Sequence, residues 1–264
     1  MIIDFHTHAF PDKIYTKAMK SLSACCGNVK PFHSGSITSL TNYLDKNNVD
    51  KAVVLNIATN PKQEHSVNDF AISLLENEKL IPFGSIHPES ENIDAELKRL
   101  KTAGIKGIKL HPDYQNFFVD EKRMLPIYQK IAEMGFITVF HAGVDIGFPS
   151  PVHCTPKSLA SILPYFEDAP VIAAHFGGYL LWQETLKYLA GTNIYLDTAF
   201  SYSKMPPQYA NEIIENHNSE KIIFGSDMPW SGTCDEIDFL NSLKLTNNQK
   251  ENILSNNAKR ILNI

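Results

Sequence analysis

Short runs of β-branched, aliphatic and aromatic residues recur along the chain, each bounded by turn-forming residues. They predict strands over 2–8 (IIDFHTH), 51–57 (KAVVLNI), 80–88 (LIPFGSIHP), 104–112 (GIKGIKLHP), 136–143 (FITVFHAG), 170–178 (PVIAAHFGG), 193–200 (NIYLDTAF) and 222–230 (IIFGSDMPW). Between most of them the apolar spacing changes to three and four. Val67, Phe70, Ala71, Leu74 and Leu75 make one predicted helical face. Ile93, Leu97 and Leu100 make another, with Gly104 as its stop. Thr155 before Pro156 predicts a capped helix start, and Pro126 blurs the helix after the fourth strand. In the asparagine-rich C-terminal stretch, Leu243, Leu245, Ile253, Leu254, Ile261 and Leu262 predict packed helices.

Eight alternations of strand and helix imply a parallel sheet with right-handed crossovers. At 264 residues the chain has the size of one (β/α)8 TIM barrel, so the fold class is α/β with a single domain over 1–264. An open doubly wound sheet is the alternative, but GxGxxG is absent after the first strand. The first two predicted strands start further apart than any later pair. The excess falls in 9–37, which holds Phe10, Tyr15, Cys25, Cys26, Phe32 and His33. Placed directly after the end of strand one, this segment is expected to be an active-site lid.

Composition removes whole classes of function. Hydrophobic residues are 43% and charged residues 20%, as in ordinary globular domains. A net charge of -5 and three arginines (Arg99, Arg123, Arg260) argue against nucleic acid as a partner. No run of about 18 apolar residues predicts a membrane span, and MIIDFHTH does not read as a signal peptide. The four cysteines form no CxxC pair, which fits a reduced, cytoplasmic protein. The expected partner is a small-molecule substrate. A homodimer is expected on prevalence alone.

The histidines carry the chemistry. His6, His8, His87, His111, His141 and His175 all fall near the carboxyl ends of predicted strands, the edge where barrel enzymes build their sites. In a strand, residues two apart share a side, so His6 and His8 aim two imidazoles at one point, a pattern suited to a divalent transition metal. Asp4 falls on the same side by that alternation. His141 in VFHAG, His175 in AAHFGG and Asp227 in FGSDMPW each end an apolar run. Taken singly, each would be a core histidine or a turn former; taken together with HTH they favour a shared site. Lys109, and His111 after it, have bland readings as a packed lysine and a loop histidine. His87 is expected in a supporting role. His153 is expected to line the substrate pocket. Its neighbour Cys154 lacks an oxyanion motif and is not expected to be a nucleophile.

HTH, KLHP, FHAG, HFGG and GSDMPW together resemble the amidohydrolase superfamily. More narrowly, they resemble the amidohydrolase-2 group of metal-dependent TIM-barrel hydrolases that includes the aminocarboxymuconate-semialdehyde decarboxylases. The resemblance runs from His6 to Trp230. It implies a divalent metal, usually Zn2+ with Mn2+ or Fe2+ as alternatives, one ion rather than two. It implies His6, His8, His141 and Asp227 as ligands, Asp227 and His175 as catalytic groups, and Lys109 and His175 as candidates for a second metal. His111, His153 and Trp230 are the substrate-binding candidates. The implied reaction is attack of an activated water on an amide or ester of a small molecule. The alternative is a lyase that decarboxylates or hydrates an unsaturated or aromatic acid, and a third reading is a non-catalytic metal-binding barrel. No arginine stands at a strand's carboxyl end to hold a substrate carboxylate, which weighs against the lyase.

Overall fold

The computed structural model describes residues 1–25 and 29–264, so Cys26, one of the residues of the expected lid, lies outside it. Eight strands form one parallel sheet in sequence order: β1 (Ile3–Thr7), β2 (Lys51–Leu55), β3 (Leu80–Ser85), β4 (Gly107–Leu110), β5 (Ile137–Phe140), β6 (Val171–Ala173), β7 (Tyr195–Asp197) and β8 (Ile222–Ile223). The sheet curls round until its ends meet. Phe5 N–H donates to Phe224 O, and beyond β8 Asp227 N–H donates to His6 O, both at 2.8 Å. The result is the (β/α)8 barrel expected from the sequence, each strand falling inside its predicted span.

The outer layer follows from the same alternation. Helices α1 (Tyr15–Cys25) and α2 (Ile37–Lys46) follow β1, and α3 (Glu64–Ser73) and α4 (Ile93–Ala103) follow β2 and β3. Then come α5 (Leu125–Glu133), α6 (Pro156–Ile162), α7 (Trp182–Tyr188) and α8 (Pro207–Asn216), one after each of β4 to β7. After β8 come α9 (Thr233–Ser242), α10 (Asn247–Glu251) and α11 (Asn257–Leu262). The punctuation works as its chemistry dictates. Gly104 stops α4 at φ 97°, in the left-handed region that glycine enters freely. Thr155 opens α6 with a reciprocal capping box to Ser158. Pro126 sits in the first turn of α5, where its missing N–H costs nothing. The C-terminal asparagines are structural: Asn257 donates to Ser219 O and Ile222 O, both at 2.8 Å, and pins α11 to β8.

One helical face differs from expectation. α3 buries Glu64, Asn68 and Ala71, and leaves Val67 and Phe70 only half buried. The backbone that follows β3 explains this. Asn68 accepts from Ser85 N–H and donates to Ser85 O, and Glu64 accepts from His87 N–H at 2.6 Å. Those buried main-chain groups need polar partners more than the core needs another apolar stripe. The barrel's own core is apolar: Ile3, Phe5, Val53, Phe83, Val139 and Ile172 pack as one cluster.

Candidate functional site

At the carboxyl edge of the strands one cavity of about 1300 Å3 is lined by His6, His8, Lys109, His111, His141, His175, Asp227 and Trp230. It gathers residues from β1, β4, β5, β6 and β8 or the turns that follow them. Among the candidates, His153 is the one outside the lining. Its Nδ1–H donates to Pro112 O at 3.1 Å and its ring packs on Phe118, so it ties the loop after β5 to the loop after β4. Asp4 is also outside. The β1–β2 register shifts between Asp4 and Thr7, which interrupts the strand alternation. The Asp4 carboxylate instead accepts from Ser226 N–H, Ser226 Oγ–H and Thr233 Oγ–H, anchoring the turn that carries Asp227. His87 accepts from Glu89 N–H outside the cavity. Cys154 is buried, and burial holds its thiol far above the usual range, which leaves it inert as a nucleophile.

The protons on the histidines can be assigned from their partners. A carbonyl oxygen only accepts, so His8 Nδ1–H donates to Leu55 O at 3.0 Å and His175 Nδ1–H donates to Ala199 O at 3.1 Å. His6 Nδ1–H donates to the Asp197 carboxylate at 2.8 Å. In its neutral form each of the three rings therefore presents a bare Nε2 on its other side. This is the arrangement by which an acceptor on one nitrogen fixes the other as a metal ligand. His8 Nε2 lies 3.2 Å from Asp227 Oδ1, and His6 Nε2 lies 3.4 Å from the same atom. His175 Nε2 lies 3.1 Å from His141 Nδ1. Ligands bonded to a small divalent ion at about 2.0–2.1 Å stand roughly 3.0–3.4 Å apart, so the three separations are those of neighbouring ligands. His6, His8 and Asp227 converge as one potential metal-holding group. The His6 and His175 rings, 5.2 Å apart between centroids, connect it to the His141–His175 pair.

A second convergence, His111, His141 and Asp145, has a different proton pattern. His111 Nδ1 accepts from Tyr114 N–H at 3.3 Å, so its proton sits on Nε2, facing Asp145 Oδ2 at 3.4 Å. That nitrogen has no lone pair to give an ion. The His111 ring stacks at 6° on His141, whose buried Nε2 has no hydrogen-bond partner and faces Asp145 Oδ2 at 3.9 Å. A cation on His141 Nδ1 would place that ring's proton on Nε2, toward the carboxylate. The donor set thus fits one ion beside His6, His8 and Asp227, with Asp145 supporting the histidine pair.

The backbone contributes as well. His175 has φ 60° and Asp227 φ 71°, left-handed conformations that are costly for residues with a side chain. Asp197 Oδ1 holds the first through His175 N–H at 2.8 Å, and His6 O holds the second. Asp197 is therefore a positioning residue for two histidines at once. Sequence reasoning passed over it, although YLD ends the seventh strand as FGSD follows the eighth.

Burial and charge set the protonation states. Burial holds His6, His111 and His141 well below the usual imidazole range, so they stay neutral. For Asp227 burial pushes the carboxyl up, and a proton on the facing His6, His8 or His175 pulls it below the usual carboxylate range. Lys109 is 1% exposed and its Nζ has no hydrogen-bond partner. Burial lowers its pKa from 10.5 to about 8, against the opposing pull of Asp197 and Asp227. Arg99, Arg123 and Arg260 pair with carboxylates outside the cavity, and no arginine is among the residues lining it.

The comparisons agree with this architecture. A search of curated proteins found no match. Among solved structures the chain is similar to an uncharacterised TIM-barrel protein from Bordetella bronchiseptica, with 19% identity over 99% of this chain and 98% of that one, at a TM-score of 0.75. It is similar to 5-carboxyvanillate decarboxylase from Sphingomonas paucimobilis, with 13% identity over 100% and 99% and a TM-score of 0.72. It is also similar to a dihydroxybenzoic acid decarboxylase from Polaromonas, solved with bound manganese and the inhibitor 2-nitroresorcinol, with 12% identity over 99% and 96% and a TM-score of 0.70. At these identities the likeness shows the fold. The amidohydrolase family model matches residues 3–264, nearly the whole chain, and so the chain belongs to the amidohydrolase family.

Proposed function

We propose that this chain is a metal-dependent enzyme that hydrolyses an amide or ester of a small molecule. The observation that supports it most is the inward Nε2 of His6, His8 and His175, each fixed by an acceptor on Nδ1, beside the Asp227 carboxylate. Imidazole nitrogens beside a carboxylate suit Zn2+, Mn2+ or Fe2+. His6, His8, His141 and Asp227 would hold such an ion, which would supply Lewis acidity to a carbonyl oxygen and lower the pKa of water toward about 7.

The chain's own residues do the rest. Asp227, kept ionised at neutral pH, takes the proton of the attacking water and returns it to the leaving group. His175 Nε2 orients that water through its lone pair. Lys109 Nζ offers a positive charge to oxygen as it gains electron density, in a buried site where that charge is weakly screened. His111 and Trp230 line the cavity beside the substrate.

One observation favours a second reading, decarboxylation of a small carboxylic acid. The buried Lys109 ammonium has no hydrogen-bond partner, and a substrate carboxylate would provide one where arginine is lacking. Product chemistry separates the two. Turnover of a panel of amides, esters and aryl carboxylic acids in 18O-labelled water should place label in a product carboxylate. Release of carbon dioxide with no label incorporated would overturn hydrolysis in favour of the lyase.

A further inference from the structure

The cavity is far larger than the polar site at its floor requires. Its volume, about 1300 Å3, exceeds the roughly 300–1,000 Å3 that houses a drug-sized ligand. A single-ring acid or a simple amide would leave most of it to water. The walls away from the histidines are largely apolar, with Phe10, Ile14 and Leu22 on and before α1, Val67 and Phe70 on α3, and Ile146 after β5, while Lys13, Lys17 and Gln63 stand among them.

Two features leave this apolar surface only partly covered by the fold. Val67 and Phe70 on α3 are half buried, Phe70 packing in part against the cluster that holds Leu40 and Leu44, and both line the cavity. α1 buries only Met19 among its described residues, and Ile14, just before it, is 50% exposed while lining the same space. Ile146 on the opposite loop is 39% exposed and lines it too. Water-exposed aliphatic groups gathered in one concavity, continuous with a polar site, are the general form of a binding pocket for an amphipathic ligand.

We infer that the substrate carries an apolar body larger than a single ring, seated between α1 and α3 while its polar head meets His6, His8, Lys109 and Asp227. The inference rests on the proposed metal-dependent reading for the head and on the α1–α3 chamber alone for the body.

The test separates the two parts. An apolar fluorophore, anilinonaphthalene sulfonate, is displaced by straight-chain alkanoic acids from butanoic to dodecanoic, on chelator-treated protein and again with Mn2+ added. The chamber predicts that affinity rises about fourfold per methylene in both states, from the free energy of burying one CH2. Ile14→Asp and Val67→Asp should each flatten that slope. Ile14 is half exposed, so its replacement leaves folding intact. A slope that is flat in the wild type, or unchanged in both variants, overturns the inference. The affinity gained on adding Mn2+ reports on the metal reading independently, and it can fail while the chain-length slope stands.

Discussion

Asp197 Oδ2 lies 2.8 Å from His6 Nδ1, joining the end of β7 to the end of β1. The same carboxylate accepts from His175 N–H and Ala199 N–H through Oδ1. One buried side chain thus fixes the tautomer of a candidate ligand and the strained backbone of a candidate catalytic histidine. An amide cannot offer two oxygens. Asp197→Asn must turn its NH2 toward one of these donors, and metal affinity is expected to fall about 10–100-fold. Calorimetric titration with Mn2+ checks this, and circular dichroism confirms that the barrel remains folded.

Lys109 is a charge buried without a hydrogen bond, and such a group costs stability while it serves function. Lys109→Met keeps the length and removes the charge. Its melting temperature is expected to rise by a few degrees, while kcat/KM drops by about 100-fold or more through loss of a transition-state charge partner. A variant that is both less stable and fully active would contradict the role assigned to the ammonium.

On the two groups Glu236 and His33 stability should be greatest on the acid side of neutrality, between pH 4.5 and 6.5, where their opposite shifts balance. Burial pushes Glu236 from 4.5 up to about 8, although Ser231 and the N–H groups of Ser201 and Tyr202 donate to it. A raised carboxyl pKa favours the folded state only while the group is protonated, so its contribution is lost as pH rises from 4.5 through about 8. Burial lowers His33 from 6.5 to about 4, and for this neutral histidine stability is lost as pH falls below 6.5 toward 4. In Glu236→Gln, the amide oxygen can take both N–H groups and the NH2 can donate to Ser231. The difference in melting temperature from the wild type is expected to be near zero at acid pH and to grow to several degrees above pH 8. Thermal melts across pH on both proteins measure it.

Gly143 has φ 87°, and a Cβ there would lie 2.1 Å from Tyr179 N. Gly143 and Tyr179 join the loops after β5 and β6, next to His141 and His175. Gly143→Ala is expected to push those loops apart, lowering the melting temperature and metal affinity together. Gly104, another positive-φ glycine at 97° with nothing near its added Cβ, is the control: Gly104→Ala should cost stability and leave metal affinity unchanged.

The barrel was legible because eight apolar runs and their intervening periodicity are local signals. The site was legible where a strand's end fixes a direction, as at His6, His8, His141, His175 and Asp227. It was not legible where long-range hydrogen bonds decide. Asp197 looks like any carboxylate at a turn until β7 is set beside β1. His153 sits in a promising loop but donates to Pro112 O. On α3 and just after it the expected face goes inward at Ala71 and Leu74, but the demand of backbone groups at Ser85 and His87 brings Asn68 and Glu64 inward beside them. A periodicity argument does not contain that demand.

The central claim is that the chain holds a divalent ion through His6, His8 and Asp227 beside the His141–His175 pair. Calorimetric titration of chelator-treated protein with Mn2+, on the wild type and on His8→Ala, tests it most directly. The account predicts saturable binding of a single ion per chain in the wild type, weakened about 100-fold or more in His8→Ala. No saturable binding in the wild type, or equal binding in the variant, would contradict it.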